Sequence, residues 1–266
     1  MPKLGFIGAG KMAGAIISGI IGGGIVLPEV IGVFDVDSAR QEICTKQGCR
    51  SFGDVPSLVG ECSTVFLCVK PQSFPEVMPQ VKEGIRRDTL LVSIAAGITA
   101  ASIKSLIGFD CKIVLAMPNT PLLLGQGAVA LARIPPTTEE EFTQVKSLFA
   151  AVGTAQEIDS ALMSEVIPVN ASSPAFVYLF AKAIIDKAMQ AGIDESSAKS
   201  LVIQTLIGSA HMLRDTDLSP EELIDMVCSP GGTTIAAMDE LRRQGFTKAL
   251  DAAFDACVKR AHELSR

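Results

Sequence analysis

The sequence predicts an α/β fold: a doubly wound sheet over residues 1–159, then an all-helical domain over residues 160–266. Three observations carry that prediction. Apolar runs alternate with helical segments through the first part, and a glycine turn closes the first of these runs. From Asp159 onward only helical periods remain. Hydrophobic residues make up 48% of the 266 and charged residues 20%, which supports a real core and argues against disorder.

Taken in order, Lys3-Leu4-Gly5-Phe6-Ile7 is a short strand that ends in Gly8-Ala9-Gly10-Lys11-Met12-Ala13. A glycine turn after a strand and before a small-residue helix is the G-x-G-x-x-G/A arrangement of dinucleotide-binding, Rossmann-type units. Gly8 permits the tight turn, Gly10 leaves bare backbone for a pyrophosphate, and Ala13 allows close helix–strand packing. The helix N-terminus then offers N–H groups and partial positive charge to the phosphates. The helix runs from Met12 to Ile21 and closes at Gly22-Gly23-Gly24. Val30–Phe34 is the second strand, ending at Asp35, and Ser38 is placed to cap a helix that Gly48 ends. Further strands are Thr64–Val69, Leu90–Ile94 and Lys112–Ala116. Their near-continuous apolar character suits parallel strands covered on both faces. Ligands of such sheets sit outside the carboxyl ends of the strands. The segments Gly8–Met12, Asp35–Asp37, Cys68–Pro71, Ile94–Gly97 and Met117–Pro121 are therefore candidate site loops.

Gly127–Ala132 and Ala155–Ile158 read as two more strands, with a helix over Thr138–Ala151 between them. Ser173 followed by Pro174 reads as an N-cap with proline at the first helical position. The helix it opens, Ala175–Ala191, is apolar around most of its circumference, so it requires several neighbours and predicts a partner subunit. Helices over Ser196–Arg214, Pro220–Cys228, Thr233–Gln244 and Phe246–Leu264 complete the chain.

Composition excludes several functions. A net charge of −6, no basic run and no interleaved aromatics argue against nucleic acid. No apolar run reaches the length of a membrane span and no secretory leader is expected, so a cytoplasmic protein is. Seven cysteines without C-x-x-C spacing suit a reducing compartment, and His211 and His262 have no ligands at metal spacing, so no metal is expected.

Asp35 stands where an acidic side chain bonds the adenosine ribose of NAD, while the nearby Arg40 argues for NADP. The turn Cys228-Ser229-Pro230-Gly231-Gly232-Thr233-Thr234 opens an amphipathic helix. Backbone N–H groups, the helix dipole and hydroxyls converge there as a receptor for a carboxylate. No Ser-His-Asp or Cys-His set can be assembled. Hydride transfer to a protonated imine needs orientation and a dry pocket more than acid–base groups, whereas a carbonyl substrate asks for a Lys, His or Tyr donor.

These residues resemble the pyrroline-5-carboxylate reductase family over essentially the whole chain. The likeness rests on Gly5–Ala13, Val69-Lys70-Pro71, Ala95-Ala96-Gly97, Met117-Pro118-Asn119-Thr120-Pro121 and Ser229–Thr234. The resemblance implies reduction of 1-pyrroline-5-carboxylate to L-proline with NADPH or NADH, and a helical domain that forms a homodimer, a unit that in such families often assembles into a higher oligomer. It implies that Ile7, Gly8, Ala9, Gly10, Lys11 and Met12 hold the pyrophosphate. Val69, Lys70 and Pro71 then line the cofactor, and Ala95, Ala96 and Asn119 lie near its nicotinamide. Thr234 matches the threonine whose hydroxyl meets the ring nitrogen, and Ser229, Gly232 and Thr233 fall in the loop for the substrate carboxylate. One departure stands out: the family's Ser-Gly-Ser-Gly-Pro-Ala-Tyr is Asn170-Ala171-Ser172-Ser173-Pro174-Ala175-Phe176 here. A reductase of a related cyclic imino acid, a β-hydroxyacid dehydrogenase using Lys182, and a non-catalytic nucleotide sensor are the alternatives.

Overall fold

The computed structural model describes residues 3–264. In chain order the elements are β1 (Leu4–Ile7), α1 (Lys11–Gly22), β2 (Ile31–Phe34), α2 (Ser38–Thr45), β3 (Arg50–Ser51), α3 (Val55–Glu61) and β4 (Thr64–Leu67). There follow α4 (Phe74–Gly84), β5 (Leu90–Ser93), α5 (Ala100–Ile107), β6 (Lys112–Met117), β7 (Gly127–Ile134), α6 (Glu139–Ala150) and β8 (Gly153–Glu157). The eight strands form one sheet in the order β3-β2-β1-β4-β5-β6-β7-β8. The order reverses between β1 and β4, so their carboxyl ends form the switch point where doubly wound sheets bind ligands.

Strands β1 to β6 pair in parallel, and β7 runs antiparallel to β6. The reason is length: only residues 118–126 join them, too few for a crossover helix, so the chain must turn back. β8 returns alongside β7 through α6. Two apolar layers cover the sheet. One packs α1 and α6 against Phe6, Val33, Phe66, Val92 and Val114, with Phe6 and Phe66 stacked at 4.4 Å. The other packs α3, α4 and α5 against Val65, Leu67, Leu91, Ile113 and Leu115. Gly5 is required by the second layer, because a Cβ there would press on Leu58 and on the Cys62 thiol.

Helix starts follow the sequence with two corrections. Thr138 caps α6 in a full capping box with Glu141. The cap of α2 is Asp37, whose carboxylate accepts the Ala39 N–H, and Ser38 is the first helical residue. Ser173 does not cap. A π-helical turn over Ile167–Ala171 runs almost directly into the next helix, α7 (Ser173–Gln190), and the Ser173 hydroxyl donates back to the Val169 carbonyl at 2.7 Å. A serine inside continuous helical backbone bonds the preceding carbonyl rather than a free N–H.

The remaining helices are α8 (Glu195–Asp215), α9 (Pro220–Val227), α10 (Thr233–Arg243) and α11 (Phe246–Leu264). The chain divides into two compact units: residues up to Pro174 together with those from Cys257 onward, and Ala175–Ala256. The second unit is helical throughout. Its α7 exposes Tyr178, Leu179, Phe180 and Ile184, and its α8 exposes Leu201, Ile203 and Ile207. Apolar surface of that extent marks an interaction face. No helix among the described residues is long and apolar enough to cross a membrane.

Candidate active site

The glycine turn is built as its residue types require. Ile7 ends β1, and Gly8 adopts φ +93°, a left-handed conformation that favours glycine. A Cβ on Gly8 would also meet the Cys68 carbonyl oxygen at 2.7 Å and Val69 Cγ1 at 3.3 Å. The glycine turn and the start of the Val69–Pro71 loop are therefore in contact. Gly10 is the N-cap of α1, with extended backbone and no side-chain cap. A Cβ built on Gly10 meets nothing within 4 Å, so open space lies in front of the first turn of α1, where Lys11 and Met12 begin the helix. An uncapped helix start facing open space is the cradle a pyrophosphate needs. The residues present fit a dinucleotide.

Asp35 follows β2 and is buried. Its Oδ2 accepts the Ala9 N–H at 2.7 Å and its Oδ1 accepts the Asp37 N–H at 2.9 Å. Arg40 approaches the same carboxylate, with Nη1 at 3.8 Å from Oδ2, while its Nε lies 3.3 Å from Asp37 Oδ2. Burial, and then the Asp35 charge, push the neighbouring Cys44 thiol above its ordinary range. Burial alone raises that of Cys68, so this thiol stays protonated beside the Val69–Pro71 loop.

Lys70 precedes a 3₁₀ turn that begins at Pro71. Ala95 and Ala96 follow β5, and Ala95 lines a cavity of about 310 Å³ with Ser93, Gly97, Thr99, Met117 and His262 among its walls. Asn119 follows β6 and is buried, with its side chain committed to the protein: Oδ1 accepts the Ala128 N–H at 2.9 Å and Nδ2 donates to the Asn170 carbonyl at 3.1 Å. Asn170 answers it, donating its own Nδ2 to the carbonyls of Met117 at 2.6 Å and Ala128 at 2.9 Å. Two carbonyls converging on one atom fix that atom as the amide nitrogen. The pair clasps the strand ends of β6 and β7 to the turn before α7. Asn170→Ala should therefore lower the unfolding free energy by about 2–4 kcal/mol, since two buried carbonyls lose their donor. Chemical denaturation checks this, and an unchanged midpoint would show that the clasp contributes nothing.

Asn170 was legible in the sequence only as a departure from a family pattern. A second pair had no signal at all: His262 Nε2 lies 2.9 Å from Glu165 Oε1, across 97 positions of sequence, at the cavity beside Ala95. Among the described residues no group of three or more His, Cys, Asp or Glu is placed to hold a metal ion.

The second unit holds the remaining predicted site residues. Between α9 and α10 the chain turns through Gly231, at φ +71°, and the Gly232 N–H donates to the Ser229 carbonyl at 2.9 Å. A Cβ on Gly232 would collide with the Ser229 hydroxyl. Gly232 is the N-cap of α10 and, like Gly10, supplies no side-chain cap to the first turn from Thr233. Thr234 borders an apolar groove of about 460 Å³ walled by Met212, Leu213, Leu223, Val227 and Met238. A hydroxyl, an uncapped helix start and an apolar wall together suit a small ring that carries a carboxylate. Lys182 on α7 is exposed and paired with Asp186 one turn on.

Family models match both parts of the chain. Residues 160–264 match the family model for pyrroline-5-carboxylate reductase dimerisation, and residues 3–97 match that for NADP oxidoreductase, coenzyme F420-dependent. The pyrroline-5-carboxylate reductase of Escherichia coli is 35% identical, covering 99% of this chain and 98% of the relative. The structure of a pyrroline-5-carboxylate reductase from Coxiella burnetii superposes with a TM-score of 0.93 at 30% identity, over 100% of this chain and 99% of that one. That of the Plasmodium falciparum pyrroline carboxylate reductase, solved with NADP bound, superposes with a TM-score of 0.89 at 26% identity, over 100% and 98%.

Proposed function

The chain belongs to the pyrroline-5-carboxylate reductase family, and from that membership we propose that it reduces 1-pyrroline-5-carboxylate to L-proline with NADPH or NADH. The observation that carries the reading is a pair of helix starts whose N-cap is a glycine without a side-chain cap, Gly10 before α1 and Gly232 before α10. The first suits a pyrophosphate and the second a carboxylate.

Bound, the reduced nicotinamide supplies the hydride that the C=N carbon takes. Residues Ile7 to Met12 hold the phosphates, Val69, Lys70 and Pro71 line the cofactor, and Ala95 and Ala96 border its reacting end. Asn119 acts there through the strand ends it secures. Ser229, Gly232 and Thr233 receive the substrate carboxylate, and the Thr234 hydroxyl orients the ring nitrogen. A protonated imine accepts hydride without a side-chain acid, so orientation and exclusion of water are the chain's main contributions.

Residues 1–159 form the dinucleotide-binding domain in this reading and residues 160–266 the substrate and dimerisation domain. The exposed apolar faces of α7 and α8 support a homodimer formed through the helical part. Cysteines buried as core residues, among them Cys44, Cys62 and Cys111, support a reducing, cytoplasmic location.

Steady-state oxidation of NADPH and NADH with 1-pyrroline-5-carboxylate tests the proposal beside oxidation of 3-hydroxy acids with NADP⁺ and NAD⁺. Turnover is expected on the imine alone, and unchanged in Lys182→Met. Turnover on a 3-hydroxy acid that vanishes in Lys182→Met would establish the dehydrogenase reading instead.

A further inference from the structure

We propose that Asp37 and Arg40 select between the two forms of the cofactor's adenosine ribose, and that Asp35 holds the glycine turn instead of reading the 2′ position. The inference rests on the dinucleotide reading above and deepens it. Sequence position alone nominates Asp35, because it ends β2. In the structure the Asp35 side chain is only 6% exposed. Each of its oxygens already accepts a backbone N–H, one from Ala9 inside the glycine turn and one from Asp37. A carboxylate so engaged ties the end of β2 to the turn and sets where Ala9 and Gly10 stand.

The groups that remain open beside it are Asp37 and Arg40, with side chains 48% and 53% exposed. They belong to the same small volume, since Arg40 reaches both Asp35 and Asp37. Asp37 Oδ1 caps the Ala39 N–H at 3.0 Å, so a carboxylate of the chain occupies the first turn of α2. Its Oδ2 pairs with the nearby guanidinium. A ribose 2′-hydroxyl finds an acceptor in Asp37. A 2′-phosphate finds instead a like charge that competes with it for Arg40 and for the helix start. Arg40 acts in the opposite sense, as a partner for the phosphate. The two residues hold each other in check, and removing either should tip the balance in a predictable direction.

Calorimetric titration of the full chain with 2′,5′-ADP and with 5′-AMP tests this without turnover. Asp37→Asn and Asp37→Ser, which both keep a capping oxygen, should raise the affinity for 2′,5′-ADP relative to 5′-AMP by about tenfold. Arg40→Leu should lower the same ratio by about tenfold. Asp35→Asn should weaken both fragments by one common factor and leave the ratio unchanged. A ratio unchanged in the Asp37 and Arg40 variants overturns the proposal, as does a larger change of ratio in Asp35→Asn than in either. If the unaltered protein binds neither fragment, the dinucleotide reading itself fails as well.

Discussion

Replacing Thr234 by Val is expected to lower kcat with 1-pyrroline-5-carboxylate by about 10–100-fold, the effect of losing one hydrogen bond of about 1.5–3 kcal/mol from the reacting geometry. The residue suits so specific a test. It is the second residue of α10, directly after an uncapped helix start, and it borders an apolar groove. Valine keeps its shape and removes only the hydroxyl. Thr234→Ser keeps the hydroxyl and should retain most of the turnover. If the hydroxyl orients the ring nitrogen at the moment of transfer, the loss falls on kcat and kcat/KM together. A rise in KM with kcat unchanged would place Thr234 in substrate holding alone. Unchanged kinetics in Thr234→Val would remove it from the site.

Gly10→Val is expected to weaken NADPH binding by about 100-fold, roughly 2.7 kcal/mol, while the fold survives. The backbone at Gly10 is extended, with φ −69°, and open to any residue, and a Cβ there touches no protein atom within 4 Å. The folded chain therefore loses at most about 1 kcal/mol, the cost of a poor N-cap. The new side chain instead fills the space from which phosphate oxygens would reach the first turn of α1. Gly8→Ala is the contrasting control. There the backbone is left-handed and the Cβ meets the Cys68 carbonyl, so stability should fall by roughly 1–3 kcal/mol. Titration of NADPH by its own fluorescence, together with thermal unfolding, separates the two outcomes. Full NADPH affinity in Gly10→Val would mean that the phosphates lie elsewhere.

The parts of this fold that sequence reveals are those in which one physical requirement acts over a short span. The apolar runs at Leu4–Ile7, Thr64–Leu67 and Leu90–Ser93 must be buried on both faces of a parallel sheet, so they read as strands directly. Gly8 and Gly10 read as a phosphate turn because each answers a different local demand, one for a left-handed backbone and one for open space. Helix α4 is less visible, since Pro79 lies within it, and β3 has only two residues. The antiparallel entry of β7 is a matter of chain length between strands, not of residue pattern.

The site divides the same way. Segments at strand ends could be named from topology alone, but the partners of their side chains could not. Asn119 reads as a neighbour of the nicotinamide, yet its amide is engaged by Ala128 and by Asn170, a residue 51 positions away. Glu165 and His262 meet across 97 positions. Asp35 has the position of a ribose reader and the bonds of a turn clamp. No spacing rule encodes such contacts, because they depend on which segments the sheet brings together. Ser173 shows the reverse failure: a local cap signal overridden by a preceding helical turn.

Transfer of label from cofactor to product tests the central claim most directly. The purified protein is supplied with 1-pyrroline-5-carboxylate and NADPH carrying deuterium at both positions of the nicotinamide C4, and the product is analysed by mass spectrometry and NMR. The expected result is L-proline with one deuterium at C5 for each NADPH oxidised. NADPH oxidised without labelled proline, or a protein that binds NADPH and leaves the imine unchanged, would contradict it.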